Sequence, residues 1–212
     1  TGGLGGLGLA AARKLVAMGA TSVVLLSRSG CVPADAADLW RSVKATCGSA
    51  LTVMRCDVAS MVQVEQLFVE LRQRGVTPRA VYHAAGVLAD GVLGNQTVDT
   101  FERVCAAKVA GSWNLHHASL THPEMRMAFY SSIASTLGGA GQANYSYANA
   151  WMDSLAVGRR QHGMDATSLQ WGPWADIGMA ARNADVIRRL RNGGINAVPV
   201  DIGCSVLTAS NT

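Results

Sequence analysis

Short apolar runs alternate along the chain with longer segments in which apolar residues recur every three or four positions. A short apolar run bounded by turn residues is typical of a buried parallel strand, and the longer spacing is typical of a helix. The pattern predicts strands at residues 22–26, 51–56, 79–83, 127–130 and 166–170. It predicts helices at residues 9–18, 35–47, 60–74, 97–120 in two pieces, 145–163 and 199–209.

The order of strand, loop and helix predicts the class of fold. Strands that alternate with helices form a sheet that helices cover, so we expect an α/β protein with a doubly wound parallel sheet. The 212 residues fit one domain that spans residues 1–212. Neither a strand before the first loop nor a closing strand is found, so we expect a fragment of a longer polypeptide.

Glycine is concentrated at the start of the chain, where it occupies five of the first eight positions. Glycine permits a tight turn and lets backbone N–H groups approach a phosphate at the positive end of a helix. A helix is predicted directly afterwards, which favours the phosphate-binding loop of a dinucleotide site, although flexible linkers are also glycine-rich. The predicted contacts are Thr1, Gly2, Gly3, Leu4, Gly5, Gly6 and Leu7.

The residues after the first strand indicate which dinucleotide binds. Ser27 and Arg28 stand where a site for NAD carries a carboxylate for the ribose, and the next acidic residue is Asp35. An arginine suits the 2′-phosphate of NADP, so the sequence predicts NADPH. A surface arginine in a loop is the alternative interpretation.

The ends of later strands provide further predicted cofactor contacts. The Asp57 carboxylate either accepts a hydrogen bond from the adenine amino group or caps the next turn. Small residues after the third strand let the chain pass close to the ribose and nicotinamide. After the last strand, a loop near Met179 is placed to close over the nicotinamide, and residues 180–198 are predicted to form a helical lid. The contacts predicted here are Asp57, Val58, Ala84, Ala85, Gly86, Gly172, Pro173 and Trp174.

The segment from Ser131 to Asn149 joins a predicted strand to a predicted helix, where open α/β sheets place their chemistry. Ser132 stands thirteen residues before Tyr145, and Asn149 follows Tyr145 by one helical turn on the same face. Ser132 could hold a ketone oxygen while Tyr145 protonates it, if a cation or a hydrogen-bond network tunes the pKa of the phenol toward working pH. Ordinary strand-end and helix-start residues are the alternative.

Lys108 lies between small and apolar residues of the predicted helix 97–120, which is unusual for a solvated face. We therefore expect its ammonium to point toward the active site. A lysine that faces solvent is the default alternative, and the distance between Lys108 and Tyr145 distinguishes the two interpretations.

Composition and charge narrow the function further. The formal net charge is +4, but the basic residues are dispersed, with the densest group at Arg188, Arg189 and Arg191, so we expect no nucleic-acid binding. The five cysteines are scattered, which favours reduced thiols in the cytoplasm. No apolar run approaches the ~20 residues of a membrane span, and the histidines form no metal-ligand set with nearby Cys or carboxylate side chains.

Five ordered motifs together resemble one family. They are Thr1-Gly2-x-x-x-Gly6-x-Gly8, His83-Ala84-Ala85-Gly86, Ser131-Ser132, Gly141-Gln142-Ala143-Asn144-Tyr145-x-x-x-Asn149 and Trp171-Gly172-Pro173-Trp174. Over nearly the whole chain they resemble the ketoreductase domain of modular or iterative polyketide synthases. That domain is a branch of the short-chain dehydrogenase/reductases and is also similar to the ketoreductase of animal fatty acid synthase.

The resemblance implies NADPH-dependent reduction of a β-ketoacyl thioester on the phosphopantetheine arm of an acyl carrier protein, alongside other synthase domains. Tyr145 would donate the proton, Ser132 would bind the ketone oxygen, and Lys108 and Asn149 would complete a tetrad. Ordinary short-chain reductases carry the lysine four residues after the tyrosine, where this chain has Asn149. Polyketide ketoreductases take it from the upstream helix, which matches Lys108. Ser131, Lys108, Tyr145 and Asn149 are also predicted to contact the cofactor.

The resemblance also bears on stereochemistry. Ketoreductases that give the D-configured alcohol resemble each other in a Leu-Asp-Asp triplet after the His-Ala-Ala-Gly motif, and this chain has Leu88-Ala89-Asp90. The opposite class typically has a tryptophan where Leu137 stands. We therefore predict a D-hydroxyl product. The predicted substrate and stereocontrol residues are Leu88, Asp90, Leu137, Gln142 and Met179.

Two other functions stay open. The chain could be a redox-silent ketoreductase-like domain that a synthase keeps for its architecture, or it could be a stand-alone short-chain dehydrogenase. A silent domain would bind no NADPH. Neighbouring carrier-protein or ketosynthase sequence would exclude the stand-alone enzyme.

Overall fold

The computed structural model describes residues 1–178, 188 and 190–209. Its strands are β1 (Val23–Ser27), β2 (Leu51–Arg55), β3 (Ala80–His83), β4 (Arg126–Ser132) and β5 (Ala166–Trp171). Its helices are α1 (Gly6–Ala17), α2 (Ala37–Cys47), α3 (Met61–Gln73), α4 (Val98–Cys105), α5 (Gly111–Ser119), α6 (Ala134–Leu137), α7 (Ala143–Gln161) and α8 (Val200–Ala209). None of the helices described is long and apolar enough to cross a membrane. Met179 and residues 180–187 and 189 of the predicted lid lie outside the described residues.

The chain forms two compact units, each with its own parallel sheet. The first unit contains Thr1 and Cys56–Trp171, and its sheet has the order β3-β4-β5. The second contains Gly2–Arg55 and the chain from Gly172 onward, and its sheet pairs β1 with β2. Parallel strands connected by helices confirm the predicted α/β class. That residues 1–212 make one domain stays a prediction.

In the first unit the core is built on β4, which has a strand on each side. Five consecutive residues of β4 are buried, from Met127 to Ser131. A strand covered on both faces needs such a continuous run, which explains why residues 127–130 read as apolar without alternation. Helix α7 packs on this sheet through Ala148, Met152 and Ala156, spaced four residues apart on one buried face.

In the second unit, two glycines allow close backbone contacts. Gly3 lets the loop before α1 approach β1, and Gly8 lets the start of α1 approach that loop. A Cβ on Gly3 would lie 2.9 Å from the Leu25 Cα, and a Cβ on Gly8 would lie 2.5 Å from the Gly2 carbonyl oxygen. The Gly3 N–H donates to the Leu26 carbonyl at 2.9 Å. Glycine is therefore required at both positions by contact, since any side chain would displace the loop.

The segment predicted as a helix in two pieces, residues 97–120, differs in detail from the prediction. Helices α4 and α5 are joined without a break by a five-residue π-helical turn, Ala106–Ala110. The glycine-rich stretch after β4 also contains the short helix α6, which the sequence does not predict. A π-helical turn is an uncommon feature that often accompanies functional sites, and this one carries Lys108.

We expect Gly8→Ala to lower the free energy of unfolding by about 1–3 kcal/mol, because the added methyl group overlaps the Gly2 carbonyl. Gly158→Ala is the matched control, since Gly158 lies in α7 and, apart from the neighbouring backbone of that helix, no atom lies within 4 Å of the new Cβ. The control should raise the free energy of unfolding by about 0.5–1 kcal/mol. Denaturant titration measures both, and equal effects would contradict the close approach.

Candidate active site

The π-helical turn places Lys108 in the interior of the first unit, where the side chain is 3% exposed. Its Nζ donates to the Tyr130 carbonyl at 2.9 Å and lies 5.3 Å from the centroid of the Tyr145 ring. Burial lowers the pKa of Lys108 from 10.5 to about 7, and attraction to Asp153 partly opposes this shift. The structure thus places the Lys108 amine beside the Tyr145 phenol ring. Burial makes the charged form of this amine unfavourable.

Asn149 lies one turn after Tyr145 on α7 and is fully buried. Its Nδ2 donates to the Tyr145 carbonyl at 2.8 Å, and the Ser131 hydroxyl donates to the Asn149 carbonyl at 3.4 Å. The Asn149 Oδ1 is buried without a hydrogen-bond partner among the described residues. An unsatisfied buried acceptor is unfavourable, which marks this oxygen as an atom ready for a bound water or ligand.

The Tyr145 phenol differs from the sequence expectation. Burial raises its pKa above the ordinary value of 10, hydrogen bonding by Asn149 and Ser132 lowers it by less, and the negative charge of Asp90 raises it further. The net effect on the pKa of the phenol is upward, because desolvation disfavours the phenolate. The phenol keeps its proton at neutral pH, which is the state that a proton donor needs.

Ser132 is the last residue of β4, and its hydroxyl accepts a hydrogen bond from the Ala134 N–H at 3.2 Å. The turn that leaves the strand thus fixes the direction of this hydroxyl. Because Ser132 also lowers the pKa of Tyr145 by hydrogen bonding, the two side chains share one site.

The predicted substrate residues Asp90 and Gln142 are joined directly, since the Gln142 Nε2 donates to the Asp90 carboxylate at 3.1 Å. The Gly91 N–H donates to the Gly141 carbonyl at 2.8 Å in the same region. These bonds connect the loop after β3 to the turn before α7. Leu137 is 70% exposed on α6.

The predicted adenine contacts follow β2. The Asp57 carboxylate accepts a hydrogen bond from the Ala59 N–H at 3.1 Å, so it caps the next turn, and its contact with adenine stays a prediction. Val58 is buried, and its carbonyl accepts from the Asn114 Nδ2 at 2.9 Å. Asn114 was not singled out in the sequence, because nothing local connects it to residue 58.

The small residues after β3 are held by Thr1. The Ala84 N–H donates to the Thr1 carbonyl at 3.2 Å, and the Ala85 N–H donates to the Thr1 Oγ1 at 3.4 Å. The same hydroxyl is 2.7 Å from the Nδ1 of buried His83. Gly86 follows half-buried, so this stretch runs close to the end of the sheet with no bulky side chain.

In the second unit the first loop has the features of a phosphate cradle. Gly2 has a φ of 63°, and the Gly5 N–H donates to its carbonyl at 3.1 Å, which closes a tight turn. No side chain caps α1, whose N-cap residue is Gly5, so its first N–H groups are open to an anion. The close approaches at Gly3 and Gly8 mean that the turn carries no side chain at these two positions. The residues present fit a dinucleotide.

The end of β1 carries a second cation beside Arg28. Ser27 pairs with Arg55 across the two strands, and the Arg55 Nε donates to the Arg28 carbonyl at 3.4 Å. The Ser27 hydroxyl accepts from the Gly30 N–H at 2.9 Å, which shapes the turn. Arg55 was not identified from the sequence as a second cation near this site. Its position at the end of the neighbouring predicted strand was the signal that could have identified it.

The loop after β5 lies against the first loop of the second unit. A Cβ on Gly6 would lie 3.1 Å from the Ile177 Cβ, and Gly178 packs against Leu7. Buried Pro173 accepts a hydrogen bond at its carbonyl from Val198, and buried Trp174 pairs with the same residue. Within the described ranges no three His, Cys, Asp or Glu side chains are grouped to hold a metal ion.

Parallel strands, a glycine-rich loop before α1 and a buried lysine beside a tyrosine define a Rossmann-like fold of the short-chain dehydrogenase/reductase type. The family model described as the KR domain matches residues 1–176. The chain belongs to this family, the ketoreductase domains of polyketide synthases.

Known proteins similar to the chain are polyketide synthases or their ketoreductases. Polyketide synthase GfsB of Streptomyces halstedii is 39% identical over 202 residues, which cover 94% of this chain and 4% of that protein. Pks1 of Mycobacterium tuberculosis, a type I phenolphthiocerol synthesis polyketide synthase whose name marks it as a candidate inactive enzyme, is 41% identical over 197 residues, 91% of this chain and 12% of its own length.

A solved structure is similar over nearly the whole chain. The ketoreductase from the first module of phoslactomycin biosynthesis in Streptomyces sp. HK803 is 33% identical with a TM-score of 0.87. The match covers 98% of this chain and 48% of that one. The chain thus spans about half of that ketoreductase structure and a small part of the synthases it matches.

We expect Lys108→Met to change how stability depends on pH. The folded pKa of Lys108 is about 7 and the ordinary value is 10.5, so the unfolded chain holds this proton more tightly, and wild-type stability should rise with pH between those values. The variant lacks the penalty, so its stability relative to wild type should be highest below pH 7. That difference should fall by at least about 1.4 kcal/mol, one unit of pKa, by pH 10.

Denaturant titrations at several pH values measure the difference. Lys44→Met is the control, because Lys44 is exposed. A stability difference for Lys108→Met that is as independent of pH as the control would show that the Lys108 ammonium is solvated.

Proposed function

We propose that the chain catalyses the NADPH-dependent reduction of a β-ketoacyl thioester to the β-hydroxyacyl thioester. One observation carries the proposal: in a member of the KR family, the buried Lys108 ammonium lies 5.3 Å from the centroid of the Tyr145 ring. A buried amine and phenol with opposite pKa shifts form an arrangement suited to proton transfer.

The four residues of the predicted tetrad have distinct roles in this proposal. The Ser132 hydroxyl binds the ketone oxygen, and the Tyr145 hydroxyl gives its proton to that oxygen. A bound NADPH would supply the hydride for the ketone carbon. Lys108 stabilises the phenolate that Tyr145 becomes, and Asn149 offers its unpaired Oδ1 to a water or a cofactor hydroxyl.

We assign the cofactor contacts unit by unit. In the second unit the first loop would bind the pyrophosphate, Ser27 and Arg28 would bind the 2′-phosphate, and the loop after β5 would lie over the nicotinamide. In the first unit the segments after β2 and β3 would contact the adenine and the nicotinamide ribose. The residues are those named from the sequence, namely Gly2, Gly3, Leu4, Gly5, Gly6, Leu7, Gly172, Pro173 and Trp174, and Thr1, Asp57, Val58, Ala84, Ala85, Gly86 and Ser131.

The substrate is proposed to be held on the phosphopantetheine arm of an acyl carrier protein, because the similar proteins are synthases of many domains. The bond between Gln142 and Asp90 supports a D-hydroxyl product, since it fixes the aspartate that the chain shares with the D-forming class. All five cysteines are free, which fits the cytoplasm.

Tyr145→Phe should lower kcat for a β-ketoacyl N-acetylcysteamine thioester about 100-fold or more, because the proton donor is lost. The NADPH dissociation constant should change little. Tyr147→Phe is the matched control, since this neighbouring tyrosine is 53% exposed, and it should keep the wild-type kcat. The ketoreductase is assayed at its full natural length, and chiral chromatography gives the product configuration. Equal kcat for Tyr145→Phe and wild type would remove the phenol from the mechanism.

Arg28→Ala should weaken NADPH binding about 10- to 100-fold, the equivalent of one charge-assisted hydrogen bond, and leave NADH binding unchanged. Fluorescence titration measures both dissociation constants, with Arg13→Ala, at an exposed arginine of α1, as the control.

The same titration tests the redox-silent alternative. This alternative is relevant because the similar protein Pks1 is named as a candidate inactive enzyme. No saturable NADPH binding by the wild type would favour a silent domain. Equal loss of NADPH and NADH affinity in Arg28→Ala would contradict the 2′-phosphate assignment.

A further inference from the structure

We propose that Asp153 is a positioning residue for the reaction proposed above: its carboxylate ties the turn that carries Ser132 to the helix that carries Tyr145 and Asn149. The inference rests on the proposed function. It concerns a residue to which the sequence assigned no role.

Asp153 lies on α7 one turn after Asn149 and two turns after Tyr145, on the same helix face. Its carboxylate is half-buried and accepts hydrogen bonds from two side chains of β5, the Ser168 hydroxyl and the Gln170 Nε2, the latter at 2.8 Å. These bonds fasten the catalytic face of α7 to β5.

Gln170 continues the connection to the turn after Ser132. Its Nε2 lies 3.0 Å from the Ser135 hydroxyl and 3.1 Å from the Thr136 hydroxyl, both on α6. Helix α6 begins two residues after Ser132, so the amide of Gln170 joins the Asp153 carboxylate to the segment that aims the Ser132 hydroxyl. We call the connection through Asp153, Gln170, Ser135 and Thr136 the α7–α6 clamp.

A second carboxylate that is hydrogen-bonded to the same sheet serves as a comparison with a purely structural contact. Asp165 precedes β5 and accepts a hydrogen bond from the Arg126 Nε at 2.6 Å, at the end of β4 opposite to Ser132. Asp153 also accepts hydrogen bonds from side chains, but it does so at the end of the sheet where Ser132 lies. The two aspartates are therefore matched in chemistry, since each carboxylate accepts hydrogen bonds, but they lie at opposite ends of the strands.

The charge of Asp153 also acts on the ammonium of Lys108, whose pKa it raises. The titratable groups around Lys108 are Tyr145 and Asp153 on α7 and His83 at the end of β3. Burial raises the pKa of Asp153, but hydrogen bonds from serine and glutamine side chains together hold it below the ordinary value. Burial keeps the pKa of His83 low, Tyr145 is neutral, and the charge of Asp90 acts on Tyr145, so Asp153 is the carboxylate whose charge acts on Lys108 itself.

The test combines Asp153→Asn with kinetics and a direct titration of Lys108 in the full-length protein. Competitive labelling with trace acetic anhydride, read by mass spectrometry of the peptide that contains Lys108, gives the midpoint of its titration at a series of pH values. We expect the midpoint in Asp153→Asn to move below the wild-type value of about 7, because attraction to the carboxylate is lost. We expect kcat to fall about tenfold or more, with the NADPH dissociation constant unchanged.

Two further variants separate position from charge. Gln170→Met breaks the clamp at an exposed residue and keeps the carboxylate, so kcat should fall while the Lys108 midpoint stays in place. Asp165→Asn should change neither quantity. Wild-type kcat in both Asp153→Asn and Gln170→Met would overturn the proposal. A wild-type protein that reduces no β-ketoacyl thioester would overturn the proposed function instead, and the Lys108 midpoint would still report whether Asp153 acts on the amine.

Discussion

The arrangement of the first unit depends on the burial of one ammonium group, that of Lys108. An isolated charge inside a protein is strongly unfavourable, so its surroundings must replace the water that it loses. The Tyr130 carbonyl at the buried end of β4, the face of the Tyr145 ring and the charge of Asp153 do so from two different elements. This requirement fixes where the π-helical turn, the end of β4 and the face of α7 must lie relative to one another.

Burial shifts the pKa values of Lys108 and Tyr145 in opposite directions for the same physical reason. It lowers the pKa of the amine and raises that of the phenol, because each group is disfavoured in its charged form. In the proposed reaction, the Tyr145 phenol becomes a phenolate beside the Lys108 ammonium, and so gains an attraction between opposite charges that is absent before the proton leaves. The favourable interaction therefore grows as the proton leaves, and only interactions that are stronger in the transition state accelerate a reaction.

The sequence predicts the strands, the helices and the residues that follow strand ends, because these depend on local apolar spacing. It does not predict the π-helical turn at Lys108, since the residues around the lysine suit an ordinary helix equally well. The turn belongs to a region of close packing, where a Cβ on Gly111 would lie 2.8 Å from Val58. Asp153 and Arg55 were missed for the same reason, because the partners that define them lie on other elements of the chain.

The departure from the Leu-Asp-Asp triplet at Ala89 leaves the contribution of this position to the fold intact. Its carbonyl accepts hydrogen bonds from the Asn144 Nδ2 at 2.8 Å and the Gln96 Nε2 at 3.3 Å, so its backbone holds the loop to the start of α7. An alanine keeps both bonds. It also adds no second carboxylate near Tyr145, where the charge of Asp90 already raises the pKa of the phenol. The loop can therefore keep its place, and the phenol its proton, with a single acidic side chain.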